Sequence, residues 1–121
     1  MLENALDPLK GINGYKGAAI ADFTGEVLVS DSSNLSGDIE FTSATFNDIF
    51  RAAHKASKDL DLGATEIMDI HTENAVVLMG CSGEASRSHI HVFVIIAKDG
   101  NQALAKMAMR KVLPAIVDEL T

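Results

Sequence analysis

The sequence predicts an α+β fold whose elements run in the order αββαβββα. Three observations predict it. Apolar residues recur at helical spacing in three places, over residues 2–12, over residues 42–60 and beyond residue 101. Between these helices lie five short runs, at 17–22, 26–30, 64–71, 75–79 and 89–97, that alternate or stay apolar over strand length. A turn containing Gly25 and the turn Thr72-Glu73-Asn74 join two pairs of these runs into hairpins. No repeat, low-complexity tract or long linker interrupts the 121 residues, so we read one domain over residues 1–121.

In the first helix Leu2, Ala5, Leu6, Leu9 and Ile12 share a face, and Gly14 is the expected terminator. Pro8 fits only if it falls in the first turn after an Asn4 or Asp7 cap; elsewhere its ring and missing N–H kink the helix. The first strand, Gly17-Ala18-Ala19-Ile20-Ala21-Asp22, is nearly all small residues, which lets a helix approach the sheet closely. In the long helix Phe46, Ile49, Phe50, Ala53 and Leu60 form the apolar stripe, with Thr42 or Ser43 as cap and Gly63 as stop. At about 100° per residue that stripe leaves Arg51, Lys55 and Lys58 on the opposite face and Thr45, Ala52, Ala56 and Asp59 along one flank. Glu66 and Asp69 suit an exposed edge strand, whereas the last strand is apolar on both faces along its second half and is expected at the centre. Asn101 begins the final helix, in which Leu104, Ala105, Ala108, Met109, Val112, Ile116 and Leu120 share a face and Pro114 introduces a bend.

Composition narrows the function classes. With 47% hydrophobic and 22% charged residues and only two prolines, the chain is neither disordered nor collagen-like, and it has no apolar run of membrane-spanning length. Ten basic against seventeen acidic residues give a net charge of −7, the wrong sign for a partner that is nucleic acid or anionic membrane. The one cysteine, Cys81, cannot form an internal disulfide, and the first residues lack the basic and apolar segments of a signal peptide, so a cytoplasmic protein is expected. Without Trp, the core is aliphatic, with Phe23, Phe41, Phe46, Phe50 and Phe93 as anchors.

The chemistry-bearing residues are few. Gly11, Gly14 and Gly17 precede a strand, whereas phosphate loops follow one, so they read as turn residues, and no P-loop motif occurs. His89 and His91 sit two apart on a strand, on one face with Cβ atoms ~6.6 Å apart, and Cys81 precedes them by one loop. For want of a fourth ligand in the spacing, we read them as polar residues with satisfied ring nitrogens and assign no metal and no cofactor. Cys81 or a serine of the 82–88 loop beside His89 would make a nucleophile pair only with a third, orienting group that the sequence does not identify, and no carboxylates pair for acid–base work. No catalytic residue is assigned. The row Arg51, Lys55 and Lys58, with His54 beside it, is the one basic concentration in an acidic chain and reads as a solvated face or as a docking surface for an acidic partner.

This order of elements, together with Gly17-Ala18-Ala19-Ile20-Ala21-Asp22-Phe23-Thr24-Gly25-Glu26-Val27-Leu28, resembles the Roadblock family, which includes dynein light chains and bacterial gliding-motility GTPase regulators. The resemblance covers almost the whole chain, though Pro8 and Pro114 are atypical of it. It implies a profilin-like, five-stranded antiparallel sheet sandwiched by helices. It further implies a dimer, either a homodimer or a heterodimer, that joins edge strands and pairs the long helices. Thr45, Ala52, Ala56 and Asp59 would then lie at the interface with Glu66 and Met68 of the edge strand, and Arg51, Lys55 and Lys58 would face a third protein. The function implied is that of a non-catalytic scaffold or regulator of a small Ras-like GTPase. The alternative is a small-molecule or metal-sensing domain using the sheet face around Cys81, His89 and His91.

Overall fold

The structure, a computed structural model, describes residues 2–32 and 34–121. A 3-10 turn, Leu2–Asn4, leads to α1 (Asp7–Lys10), β1 (Tyr15–Asp22), β2 (Val27–Asp31), α2 (Ile39–Asp59), β3 (Ile67–His71), β4 (Ala75–Cys81), β5 (Ile90–Ala97) and α3 (Gln102–Leu120). The predicted order αββαβββα holds. All five strands form one sheet in the order β2-β1-β5-β4-β3, with every neighbouring pair antiparallel. β5 is central and β3 is an edge, as the charge pattern predicts.

Strand alternation sorts the sheet's side chains into two cores. Ala18, Ile20, Val76, Leu78, Val92, Val94 and Ile96 project to one face, where α1 and α3 close over them with Leu9, Met109, Val112 and Ile116. Ala19, Ala21, Val77, Met79 and Phe93 project to the other, under Ile39 and Phe50 of α2. α2 lies against β1 and β2, and β1 offers it the small side chains of Ala19 and Ala21. A Cβ on Gly17 would sit 2.5 Å from Leu35 Cδ1 and 2.8 Å from the Asp31 carbonyl, so the glycine there is a packing requirement. Phe50, fully buried, anchors the layer and contributes roughly 2–3 kcal/mol by its transfer from water.

Helix ends depart from the sequence reading. The N-terminal helix is a 3-10 turn and a single α turn rather than one continuous helix, and Pro8 lies in the first turn of α1, after Leu6 rather than after Asn4 or Asp7. α2 begins a turn before Thr42 and Ser43. Asp38 caps it, its carboxylate accepting from Glu40 N–H (3.0 Å) and Phe41 N–H (3.2 Å), and Ser43 is buried inside the helix. Its C-terminus closes at Asp61, which takes the left-handed conformation (φ 62°) expected of Gly63. Leu62 N–H reaches the Ser57 carbonyl and Asp61 N–H the Lys58 carbonyl, the double bond pattern of a Schellman turn. Ile49 and Leu60 do not cover the sheet as the stripe predicts: they are 38% and 72% exposed, because the inward face is Ile39, Ser43, Asn47 and Phe50. β3 starts at Ile67, not residue 64, which leaves Glu66 just before the strand. Asn101 caps α3 through Leu104 N–H (3.0 Å), yet the buried face is Ala105, Met109, Val112, Leu113, Ile116 and Val117, with Leu104 and Leu120 outside it. No helix among the described residues is long and apolar enough to cross a membrane.

Candidate functional site

Cys81, His89 and His91 meet because of strand register. Antiparallel pairing sets Cys81, the last residue of β4, opposite His91 of β5, and the two-residue period turns both toward the α2 side of the sheet with Phe93. The intervening loop is closed by Ser82, whose N–H donates to the Ile90 carbonyl (3.0 Å) while its Oγ accepts from Ile90 N–H (2.9 Å) and donates to the Ser88 carbonyl (2.8 Å). That closure returns His89 to the strand end it left. Cys81 Sγ lies 3.2 Å from His89 Nε2, and the donor atoms of the three residues lie within 4.8 Å of one another. The sequence spacing alone placed the two histidines together; the closeness of Cys81 depends on the loop.

The partners around this cluster fix its orientation. Asn47 of α2 donates through Nδ2 to the Phe23 carbonyl (3.0 Å), so its Oδ1 is the acceptor facing His91 Nδ1 at 2.5 Å. Nδ1 of His91 is therefore the protonated nitrogen of the neutral ring. Phe23 stacks on His89, with ring centroids 5.1 Å apart and planes 8° from parallel. Gly83 N–H points to Cys81 Sγ at 3.3 Å. Burial raises the Cys81 thiol above its ordinary range, with the Glu84 charge adding to it and the Gly83 N–H opposing. Burial, then the positive charge His54 can carry, lowers His89; burial, then His89, His54 and Arg51, pushes His91 down to about 4. At neutral pH this is a protonated thiol beside neutral imidazoles, not an activated nucleophile.

The cluster opens into a cleft of about 460 Å³ lined by Phe23, Phe50, Arg51, His54, Glu84 and His89 among others. His54 Nδ1 accepts from Thr65 N–H (3.1 Å), which leaves the proton on Nε2; that nitrogen lies 3.0 Å from Glu84 Oε2 without the alignment of a hydrogen bond. Glu84 also takes Lys58 Nζ at 2.9 Å, and Asp59 takes Lys55 Nζ at 2.9 Å. Two of the three cations in the basic row are thus matched by carboxylates, while Arg51 forms no ion pair among the described residues. Glu84 was not legible as part of this face, since it arrives from a loop 26 residues away in sequence.

On the outer side of α2, Thr45, Ala52, Ala56 and Asp59 are all exposed. The same stripe contains Phe41, 73% exposed, and Ile49, two apolar residues that the sequence reading left out of this surface. Their spacing of four and eight from Phe41 through Thr45 to Ile49 is the signal that would have found them. Met68 of the edge strand is half-buried against the α2-side core, and Glu66 is exposed beside it, its carbonyl accepting from Cys81 N–H at 3.1 Å. A separate groove of about 600 Å³ between α1 and α3 is walled mainly by Leu104, Met107, Ala108 and Val112 and holds no histidine or cysteine.

A five-stranded antiparallel sheet ordered 2-1-5-4-3, with one long helix on one face and the terminal helices on the other, is the fold of Roadblock/LC7 domains and of profilin. The Roadblock/LC7 domain from Streptomyces avermitilis superposes with a TM-score of 0.80 at 12% identity, over 94% of this chain and 92% of that one. Myxococcus xanthus MglB gives 0.79 at 11% identity, over 98% of this chain and 89% of its own. Acanthamoeba castellanii profilin IA gives 0.57 at 12% identity, over 98% and 94%. In sequence, no family model and no curated protein matches the chain. At these identities the likeness is one of fold.

Proposed function

We propose that the chain is a non-catalytic, homodimeric scaffold or regulator of a small Ras-like GTPase, a single Roadblock-type domain over residues 1–121 acting in the cytoplasm. One observation carries the reading: α2 leaves a continuous exposed stripe of Phe41, Thr45, Ile49, Ala52 and Ala56, which no element of this chain covers among the described residues. Exposed apolar surface of this kind marks an interaction site. Small residues along it permit close helix approach, and β3 lies at the edge of the sheet with a backbone ladder open on one side. In the proposed dimer Thr45, Ala52, Ala56 and Asp59 meet their copies, and Glu66 and Met68 lie at the joined edge. The free cysteine suits a reducing compartment.

The partner surface in this proposal is Arg51, Lys55 and Lys58. Since Asp59 and Glu84 already offset two of these charges, Arg51 is the cation available to an acidic partner. The test is binding of candidate small GTPases to wild type and to the Arg51→Ala, Lys55→Ala, Lys58→Ala variant at low and moderate salt. The variant is expected to fold as wild type does and to bind with a slower on-rate and a shallower salt dependence. Equal affinity and equal salt slope for both proteins would remove the basic row from the proposal, and no binding of any small GTPase by the wild type would remove the function itself.

A further inference from the structure

We propose that Cys81, His89 and His91 form a zinc site with three protein donors, its fourth position opening into the cleft beneath α2. A thiolate with two imidazoles is a borderline-soft donor set that suits Zn²⁺ in tetrahedral coordination. With Zn–S near 2.3 Å and Zn–N near 2.0–2.1 Å, tetrahedral ligands stand roughly 3.3–3.6 Å apart. Cys81 Sγ and His89 Nε2, at 3.2 Å, already have about that separation. All three donors lie within 4.8 Å of one another, so side-chain adjustments of about 1 Å bring them onto a common ion.

Three contacts outside the donor set resemble the shell that surrounds a bound metal. Asn47 Oδ1 takes the Nδ1 proton of His91, so the lone pair of that ring is on Nε2 and the ring cannot rotate without breaking the bond. Asn47 is itself held by its donation to the Phe23 carbonyl, which decides which end of the amide faces the histidine. Gly83 N–H is directed at Cys81 Sγ, the contact that stabilises a sulfur carrying negative charge, and Phe23 stacks on His89 to hold its plane. On binding, the thiol proton leaves to solvent and the sulfur coordinates as thiolate. Water completes the fourth position from the cleft side, where His54 lies 6.3 Å from His89 between ring centroids. A buried polar pair that merely held α2 on the sheet would require Asn47 and His91, and would leave the approach of Cys81, His89 and Gly83 without a purpose.

The site is tested on the full chain, reduced and freed of metal with a chelator, by titration with Co²⁺ as a spectroscopic substitute for Zn²⁺. One equivalent is expected to produce a thiolate-to-cobalt charge-transfer band with the intense ligand-field bands of tetrahedral cobalt, and one equivalent of Zn²⁺ is expected to erase both. Cys81→Ser should lose the charge-transfer band. His89→Gln, at a half-buried position, should weaken Zn²⁺ binding by more than roughly tenfold, the loss that even an outer-shell change produces. His71→Gln, at the exposed end of β3, should change nothing. Zn²⁺ should also raise the melting temperature of wild type and not of His89→Gln. A weak octahedral spectrum without the charge-transfer band, or equal Zn²⁺ affinity for wild type and His89→Gln, would overturn the site.

Discussion

Asn47 shows how a single polar residue joins two layers. It is fully buried, on the sheet-facing side of α2, and serves as donor to Phe23 and acceptor from His91 at once. Asn47→Ala leaves a buried N–H and a carbonyl without partners, each at a cost of about 1–3 kcal/mol, so we expect a loss of about 2–4 kcal/mol in urea unfolding. An unchanged midpoint would mean that water replaces both bonds. Asp22, half-buried at the end of β1, closes the β1–β2 turn differently, by accepting from Thr24 N–H (2.9 Å), the Thr24 hydroxyl and Glu26 N–H (3.1 Å). Burial works to raise its carboxyl, but the Thr24 hydroxyl and then the N–H groups of Glu26, Thr24 and Gly25 outweigh it, and the folded value lies below the ordinary 3.8. A carboxylate depressed in the folded state stabilises fully above its unfolded pKa and loses that contribution as pH falls through the folded value. The melting temperature of wild type should therefore exceed that of Asp22→Asn at neutral pH, with the gap closing in acid below about pH 4. A gap that is independent of pH would assign the effect to turn geometry alone.

At the scale of elements, α2 carries three surfaces on one helix. Ile39, Ser43, Asn47 and Phe50 face the sheet; Arg51, Lys55 and Lys58 point to solvent beside the cleft; Phe41, Thr45, Ile49, Ala52 and Ala56 form the uncovered stripe. The stripe belongs to the proposed dimer, and Ala56 is its smallest apolar position near the C-terminal end. Ala56→Arg places a charge and a long side chain where two helices would approach, while touching nothing inside the protomer, since Ala56 is exposed. Light scattering at micromolar concentration is expected to give a dimer mass for wild type and a monomer mass for the variant. A monomeric wild type would refute the homodimer, and a dimeric variant would move the interface off this stripe.

Across the whole molecule, charge and apolar surface are segregated. The net charge is −7, yet the cleft under α2 gathers Arg51, Lys55, Lys58 and three histidines around the single carboxylates of Glu84 and Asp59. α3 is tied to the edge strand across the other layer by Lys106 and Asp69, 2.6 Å apart, and to the 82–89 loop by Arg87 and Asp118, 2.7 Å apart. The segment that carries Cys81 to His89 is therefore braced from both faces of the sheet, by Lys58–Glu84 on one side and Arg87–Asp118 on the other.

The sequence by itself determined the element order, the central place of β5 and the edge position of β3, because these rest on period and on continuous apolar runs, which are local properties of the chain. It also placed Thr45, Ala52 and Ala56 outside the core from helical spacing. Helix termini were less legible: Asp38 displaced Thr42 as cap and Asp61 took the place of Gly63, since several residues with capping chemistry stood within one turn and only the backbone path selects among them. The tertiary structure alone decided which face of α2 meets the sheet. Asn47, polar and unremarked in the sequence, won a buried place over Ile49 because His91 and the Phe23 carbonyl offered it two bonds. The meeting of Cys81 with His89 and His91, and of Glu84 with Lys58 and His54, was likewise decided in three dimensions. Such contacts depend on strand register and on the closure of a loop, neither of which leaves a periodic trace in the sequence.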